Sequence, residues 1–152
     1  MANTYTKIYL HIVFAVKDRE ALLPPLLQKR IYSYMATVLR DKGHFPVAIG
    51  GTENHVHILI DYAMSQPIPD MVRELKTCVT KLINTNHLIP FQFAWQRGYA
   101  CFSYSASQVA AVKNYIDHQA EHHNKMTLRD EMVAIYRRFG VEYDEKYVFE
   151  GF

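Results

Sequence analysis

The chain has 152 residues, enough for one domain with a sizeable core. Apolar residues make up 49%, which excludes a disordered polymer, and a formal charge of only +2 gives no whole-molecule field for a polyanion. The two cysteines, Cys78 and Cys101, have no metal-knuckle or disulfide-framework spacing and read as small core residues of a reducing compartment.

The first element runs from about Tyr5 to Lys17. Ile8, Leu10, Ile12, Phe14 and Val16 alternate with Tyr9, His11, Val13 and Ala15, the period of a strand. This apolar run has neither a basic leader nor a small-residue cleavage site, and nothing approaches the roughly 20 apolar residues of a membrane span. A soluble cytoplasmic protein is expected. Pro24 and Pro25 open a helix that carries Leu27, Ile31, Tyr34, Met35, Val38 and Leu39 at helical spacing and closes at Gly43.

Two strands are then expected, Phe45 to Ile49 and His55 to Tyr62, joined by a turn containing Gly50 and Gly51. Pro69 opens a second helix, to about Asn84. The aromatic stretch PFQFAWQRGYACFSYS reads as a fourth strand, with Gly98 at a bend. Ser105 or Ser107 caps a third helix from about Ala106 to His123. Thr127 with Asp130 resembles a capping box for a last helix ending at Phe139-Gly140. The tail VEYDEKYVFEGF is either docked or flexible.

The order β-α-β-β-α-β is that of an α+β, ferredoxin-like (RRM-like) antiparallel sheet with added C-terminal helices. Its first and third strands are expected at the centre. Helices should cover one face and leave the other available.

The stretch His55-Val56-His57 stands on the third strand. Val56, Ile58 and Ile60 share the face owed to the helices, so His55, His57, Leu59 and Asp61 project from the other. Imidazoles two positions apart are separated by roughly 7 Å along a strand, close enough to reach one cation. His11 falls on the same face. Alone, His-x-His is equally well a pair of polar residues on a half-solvated strand.

In VKNYIDHQAEHH, Tyr115 and Gln119 lie one helical turn apart, beside an apolar stripe of Val109, Val112, Ile116 and Ala120. His118 and His122 have the i, i+4 spacing of zinc ligands. The sequence between them, however, is His-Gln-Ala-Glu-His and not H-E-x-x-H, so one of His118, His122 and His123 is expected to contact phosphate or support the site, and the others to be solvated.

Taken together, YLHIVFAVKDRE, ENHVHILI, WQRGYACFSYS, VKNYIDHQAEHH and the tail FGVEYDEKYVF resemble the single-tyrosine HUH transposases of the insertion-sequence 200/605 group over nearly the whole chain. The resemblance implies one transposase domain over 1–152, with a core at 1–104, a tyrosine helix at about 106–123 and a C-terminal helix and tail at 127–152. It implies Tyr115 as nucleophile and His55, His57 and Gln119 as ligands of a divalent metal, Mg²⁺ or Mn²⁺. The reaction implied is transesterification of single-stranded DNA, giving a 5′-phosphotyrosine and a free 3′-hydroxyl, followed by rejoining. Hairpin-bearing single-stranded DNA and a second copy of the chain, in a homodimer, are the implied partners. One departure is Glu53-Asn54, where relatives often have Pro-Asp before the first histidine.

No G-x-x-x-x-G-K-[ST] loop occurs, in keeping with a reaction that needs no nucleotide cofactor. Lys17, Arg19, Arg73, Lys76 and Lys81 are candidate phosphate contacts, although each is equally a solvated surface charge. Two other readings remain: a domesticated relative processing palindromic repeats, and a non-catalytic module that binds single-stranded nucleic acid.

Overall fold

The computed structural model describes residues 3–17, 22–123 and 125–149. Four antiparallel strands form one sheet: β1 (Tyr9–Ala15), β2 (Phe45–Gly51), β3 (His55–Asp61) and β4 (Ala100–Tyr104), in the order β2-β3-β1-β4. As expected, the first and third strands are central neighbours, with Val13 opposite His57 and His11 opposite Leu59. The first strand is shorter than Tyr5–Lys17. Among the described residues beyond Ala15, Val16 forms a single bridge to Trp95.

Two helices, α1 (Pro25–Asp41) and α2 (Ile68–Thr85), pack on one face. Each has proline in its first turn, where a missing N–H costs nothing. Ile12, Phe14, Val56, Ile58 and Ile60 meet Ile31, Met35, Leu75 and Val79 in the main core. Burying each such side chain contributes about 1.5–3 kcal/mol, so this alternation settles which way β1 and β3 face. No helix among the described residues is long and apolar enough to cross a membrane.

Two expectations need correction. Gly50 and Gly51 are not in the turn: they belong to β2 and pair with His57 and Val56, leaving residues 52–54 to turn the chain. Nor is the second face of the sheet open. Three further helices lie beyond β4: α3 (Val109–Asp117), α4 (Gln119–His122) and α5 (Leu128–Phe139). Val112 and Ile116 pack on Ala48 and Leu59. Leu128, Met132 and Ile135 pack on Val13, Ala15, Ala100 and Phe102. Apolar residues on the outward side of β1 and β4 require such a cover.

The helix expected over 106–123 is therefore in pieces. A 3₁₀ turn over Ala106–Gln108 precedes α3, and His118 leaves helical geometry (φ −112°, ψ 26°) between α3 and α4. Ala120, expected on the apolar stripe, is exposed, while Gln119 is buried. The last helix is as expected, with Thr127 accepting from the Asp130 amide at 3.1 Å and Gly140 closing it at φ 66°. The tail is docked through Val148 and Phe149.

Candidate metal and tyrosine site

The site lies between the sheet and its second cover. His55 and His57 are fully buried there, and His11 is 1% exposed. β3 aims both rings to one side, and β1 sets His11 next to His57, with His11 Nε2 2.7 Å from His57 Nδ1. At the strand entrance, His55 Nδ1 lies 2.7 Å from Asn54 Oδ1 and 3.0 Å from Thr52 Oγ1. Both His55 nitrogens face amide oxygens, which only accept, and a neutral imidazole has one N–H; placed on the shorter contact, to Asn54, it leaves a lone pair on Nε2 toward Gln119.

That lone pair meets other acceptors. His55 Nε2 is 3.0 Å from Gln119 Oε1 and 3.7 Å from Glu131 Oε1. The Gln119 amide is oriented by its Nε2, which donates to Glu131 Oε2 at 3.3 Å. His57 Nε2 approaches Glu131 Oε1 at 3.0 Å. His123 Nε2 is 3.1 Å from Glu131 Oε2, within ion-pair distance, yet buried without an aligned hydrogen-bond partner. The contact is thus an electrostatic one, since a hydrogen bond weakens steeply off axis. Tyr115 donates its hydroxyl to Glu131 Oε2, and its ring stands edge-on to His57 with centroids 5.8 Å apart.

The electrostatics follow from burial. Burial pushes His11 and His55 down to about 3, aided by the neighbouring His57. Burial alone would raise the Glu131 carboxyl. The His123 and His57 nitrogens and the Tyr115 hydroxyl reverse that and hold it well below the usual carboxylate range. Burial and then the Glu131 charge push the Tyr115 phenol well above its ordinary value. The arrangement is thus a carboxylate, three imidazoles and an amide oxygen converging beside a protonated tyrosine.

Ligand atoms of His55, His57, His123 and Glu131 all lie within 4.8 Å of one another. Nitrogen and carboxylate donors at that mutual distance suit a divalent cation. The acceptor of His55 facing the acceptor of Gln119 is repulsive unless a proton or a cation lies between them. The donor set therefore fits a metal.

Sequence reasoning brought His55, His57, Tyr115, Gln119 and His11 to one place, and the structure does too. It missed Glu131 and gave His123 only a general supporting role. Two signals were present. Glu131 shares the stripe of Leu128, Met132 and Ile135 on α5, a charge on an apolar face. His123 continues the four-residue steps Tyr115, Gln119, His123.

Of the other candidates, His122 packs on the Tyr115 ring at 4.8 Å. His118 is exposed, its Nδ1 near the Asn114 carbonyl at 2.7 Å, and stands outside the site. The expected phosphate contacts Arg73, Lys76 and Lys81 are not at the site either. They line a cleft of about 520 Å³ beside Trp95, on the α2 side of the sheet. Arg73 pairs with Asp70 at 2.9 Å. The Lys76 ammonium donates to the Gln96 and Gly98 carbonyls at 3.0 and 2.6 Å, and burial pulls its pKa down to about 8. Lys17 is exposed beyond β1, and Arg19 falls outside the described residues.

Residues 4–119 match the family described as Transposase IS200 like. The chain belongs to this transposase family. Two solved structures share the fold. One is a candidate transposase from Deinococcus radiodurans R1, 22% identical, with a TM-score of 0.61, covering 78% of this chain and 95% of that one. The other is a REP-associated tyrosine transposase bound to a REP hairpin, 16% identical, with a TM-score of 0.58, covering 83% of this chain and 74% of that one. No curated protein matches the chain. Glu131, His123 and all of α5 lie beyond the segment that defines the family match, so membership alone does not account for them.

Proposed function

We propose that the chain cleaves and rejoins single-stranded DNA, with Tyr115 as nucleophile and a divalent metal, Mg²⁺ or Mn²⁺, held by His55, His57 and Gln119. Glu131 and His123 complete the donor set. The observation that carries this reading is the pair of facing acceptors, His55 Nε2 and Gln119 Oε1 at 3.0 Å, next to a tyrosine hydroxyl bound to Glu131. A bound divalent cation supplies charge to polarise the scissile phosphate and stabilise the developing negative charge.

The chain's own residues do the rest. The Tyr115 oxygen attacks phosphorus, its proton passing to Glu131 Oε2, and the bond to the 3′ oxygen breaks as that oxygen takes the proton up from Glu131. One phosphodiester replaces another, with no redox change and no nucleotide cofactor. The charge of Glu131 disfavours a free phenolate, so the proton leaves during attack and not before it. Asn54 and His11 hold the two imidazoles in orientation.

The hairpin bound by the REP-associated neighbour supports hairpin-bearing single strands as substrate. Pairing of two copies as a homodimer belongs to the same reading. Processing of host palindromes would use the same chemistry.

The test is incubation with a pool of hairpin-bearing single-stranded DNA and Mn²⁺, read on a denaturing gel. A covalent protein–DNA adduct should form, vanish with chelator and vanish in Tyr115→Phe. An adduct that persists in Tyr115→Phe removes that residue from its role. No adduct, with DNA binding unchanged in His57→Ala, favours the non-catalytic binding module.

A further inference from the structure

A cleft of about 690 Å³ opens directly from the tyrosine site. Tyr115 and Glu131 are among its lining residues, and Val112 and Ile135 form apolar wall. Tyr104, from the edge strand β4, and Arg138, from the last turn of α5, line it as well. Tyr104 is half-buried and braced edge-on by Phe139, with ring centroids 5.5 Å apart. Arg138 is exposed and makes no ion pair among the described residues. It is near enough to Tyr104 to oppose the rise that burial imposes on that phenol. Lys125, also without an ion pair there, is a further lining residue, as is Glu121.

We propose that this cleft seats the unpaired nucleotide adjoining the cleaved phosphate, with its base stacked on Tyr104 and its backbone phosphate on Arg138. The volume suits a nucleotide-sized ligand. A braced, half-exposed phenol offers a flat surface that any base can cover. Arg138 offers an unpaired planar donor set that matches phosphate. Among the lining residues Glu121 repels a phosphate, whereas Arg138, with no carboxylate paired to it among the described residues, attracts one. The occupant is a single strand, because a base held in a duplex cannot reach a ring inside a cleft. The proposal rests on the reading of Tyr115 as nucleophile only for the word "cleaved". The binding itself is independent of chemistry.

The experiment uses the full chain carrying Tyr115→Phe, so that nothing is cleaved. Fluorescein-labelled oligothymidylate is the probe, with an abasic oligomer of equal length as control, and anisotropy is followed against salt. Arg138→Ala should weaken binding about ten-fold and lower the slope of log affinity against log salt by about 1. Arg137→Ala removes the same charge one residue away, outside the cleft, and should leave that slope nearly unchanged. Tyr104→Leu should weaken oligothymidylate roughly five- to hundred-fold while leaving the abasic oligomer alone, and Tyr104→Phe should bind like the parent. Photocrosslinking from 5-iodouracil should fall on Tyr104.

Equal effects of Arg138→Ala and Arg137→Ala overturn the proposal. So does equal loss of both oligomers in Tyr104→Leu, or crosslinking confined to Trp95 on the opposite face. If the unaltered chain forms adducts while these variants bind normally, the cleft assignment fails and the nucleophile stands. If the cleft variants lose binding but no adduct ever forms, the nucleophile assignment fails and the cleft stands.

Discussion

A β-carbon added at Gly50 would stand 2.4 Å from the carbonyl oxygen of Ile116. The missing side chain is therefore the seat of the tyrosine helix: α3 rests on β2 at a distance only glycine permits. Tyr115 is the neighbour of Ile116, so the depth of its hydroxyl depends on this contact. Gly50→Ala should push α3 outward, lower stability by about 1–3 kcal/mol and reduce adduct formation more than ten-fold at temperatures where the protein stays folded. Thermal unfolding and the denaturing-gel assay, run side by side, check it. Normal adduct yield in a folded Gly50→Ala chain would show that α3 is not held by this contact.

Glu131 stands where Tyr115, His57, His123 and Gln119 converge. Glu131→Gln keeps the volume and removes the charge. Mn²⁺ affinity measured by calorimetry should fall by about 10- to 100-fold, the range seen when groups holding metal ligands are lost. Unchanged affinity would leave Glu131 as the partner of Tyr115 alone.

Asn54 holds His55 Nδ1 at 2.7 Å. Asn54→Ala should weaken Mn²⁺ binding by about 10-fold, and Asn54→Asp should bind at least as tightly as the parent, because a carboxylate accepts the same proton more strongly. Calorimetry of the three chains decides it. Equal affinities in all three would mean that Thr52 Oγ1, at 3.0 Å, orients the ring by itself.

Lys76 gives a pH signature away from the site. Burial lowers its pKa from 10.5 to about 8, so between those values the unfolded chain holds a proton that the folded chain has released. The side binding more protons loses ground as pH rises, so the Lys76 contribution to stability grows from about pH 8 to 10.5. Denaturant unfolding across that window should show the parent gaining stability relative to Lys76→Met. Parallel curves would mean that the bonds to Gln96 and Gly98 keep the ammonium charged.

The sheet was legible in the sequence because alternation is a local property. His11 and Val13 against Ile12 and Phe14, and His57 against Val56 and Ile58, assign faces without any knowledge of neighbours. The same alternation put His11, His55 and His57 on one side. The spacing of Tyr115 and Gln119 put both on one edge of a helix. The misses were all non-local. Gly50-Gly51 has the composition of a turn, yet both residues pair with β3, and it is α3 overhead that requires a glycine at position 50. Lys76 reads as a surface cation until the 96–98 loop is known to fold over it.

By itself, then, the sequence determined the element order, the two faces of the sheet and the residue types capable of holding a metal beside a tyrosine. Only the tertiary structure decided that α3, α4 and α5 cover the histidines, that the chain breaks at His118 with Gln119 buried, and that Glu131 enters from a helix 74 positions beyond His57. Periodicity reports how one segment divides its own apolar and polar residues. Which two segments then share a buried space is set by close packing across the whole chain, where a single missing methyl group at Gly50 decides how near a helix can come.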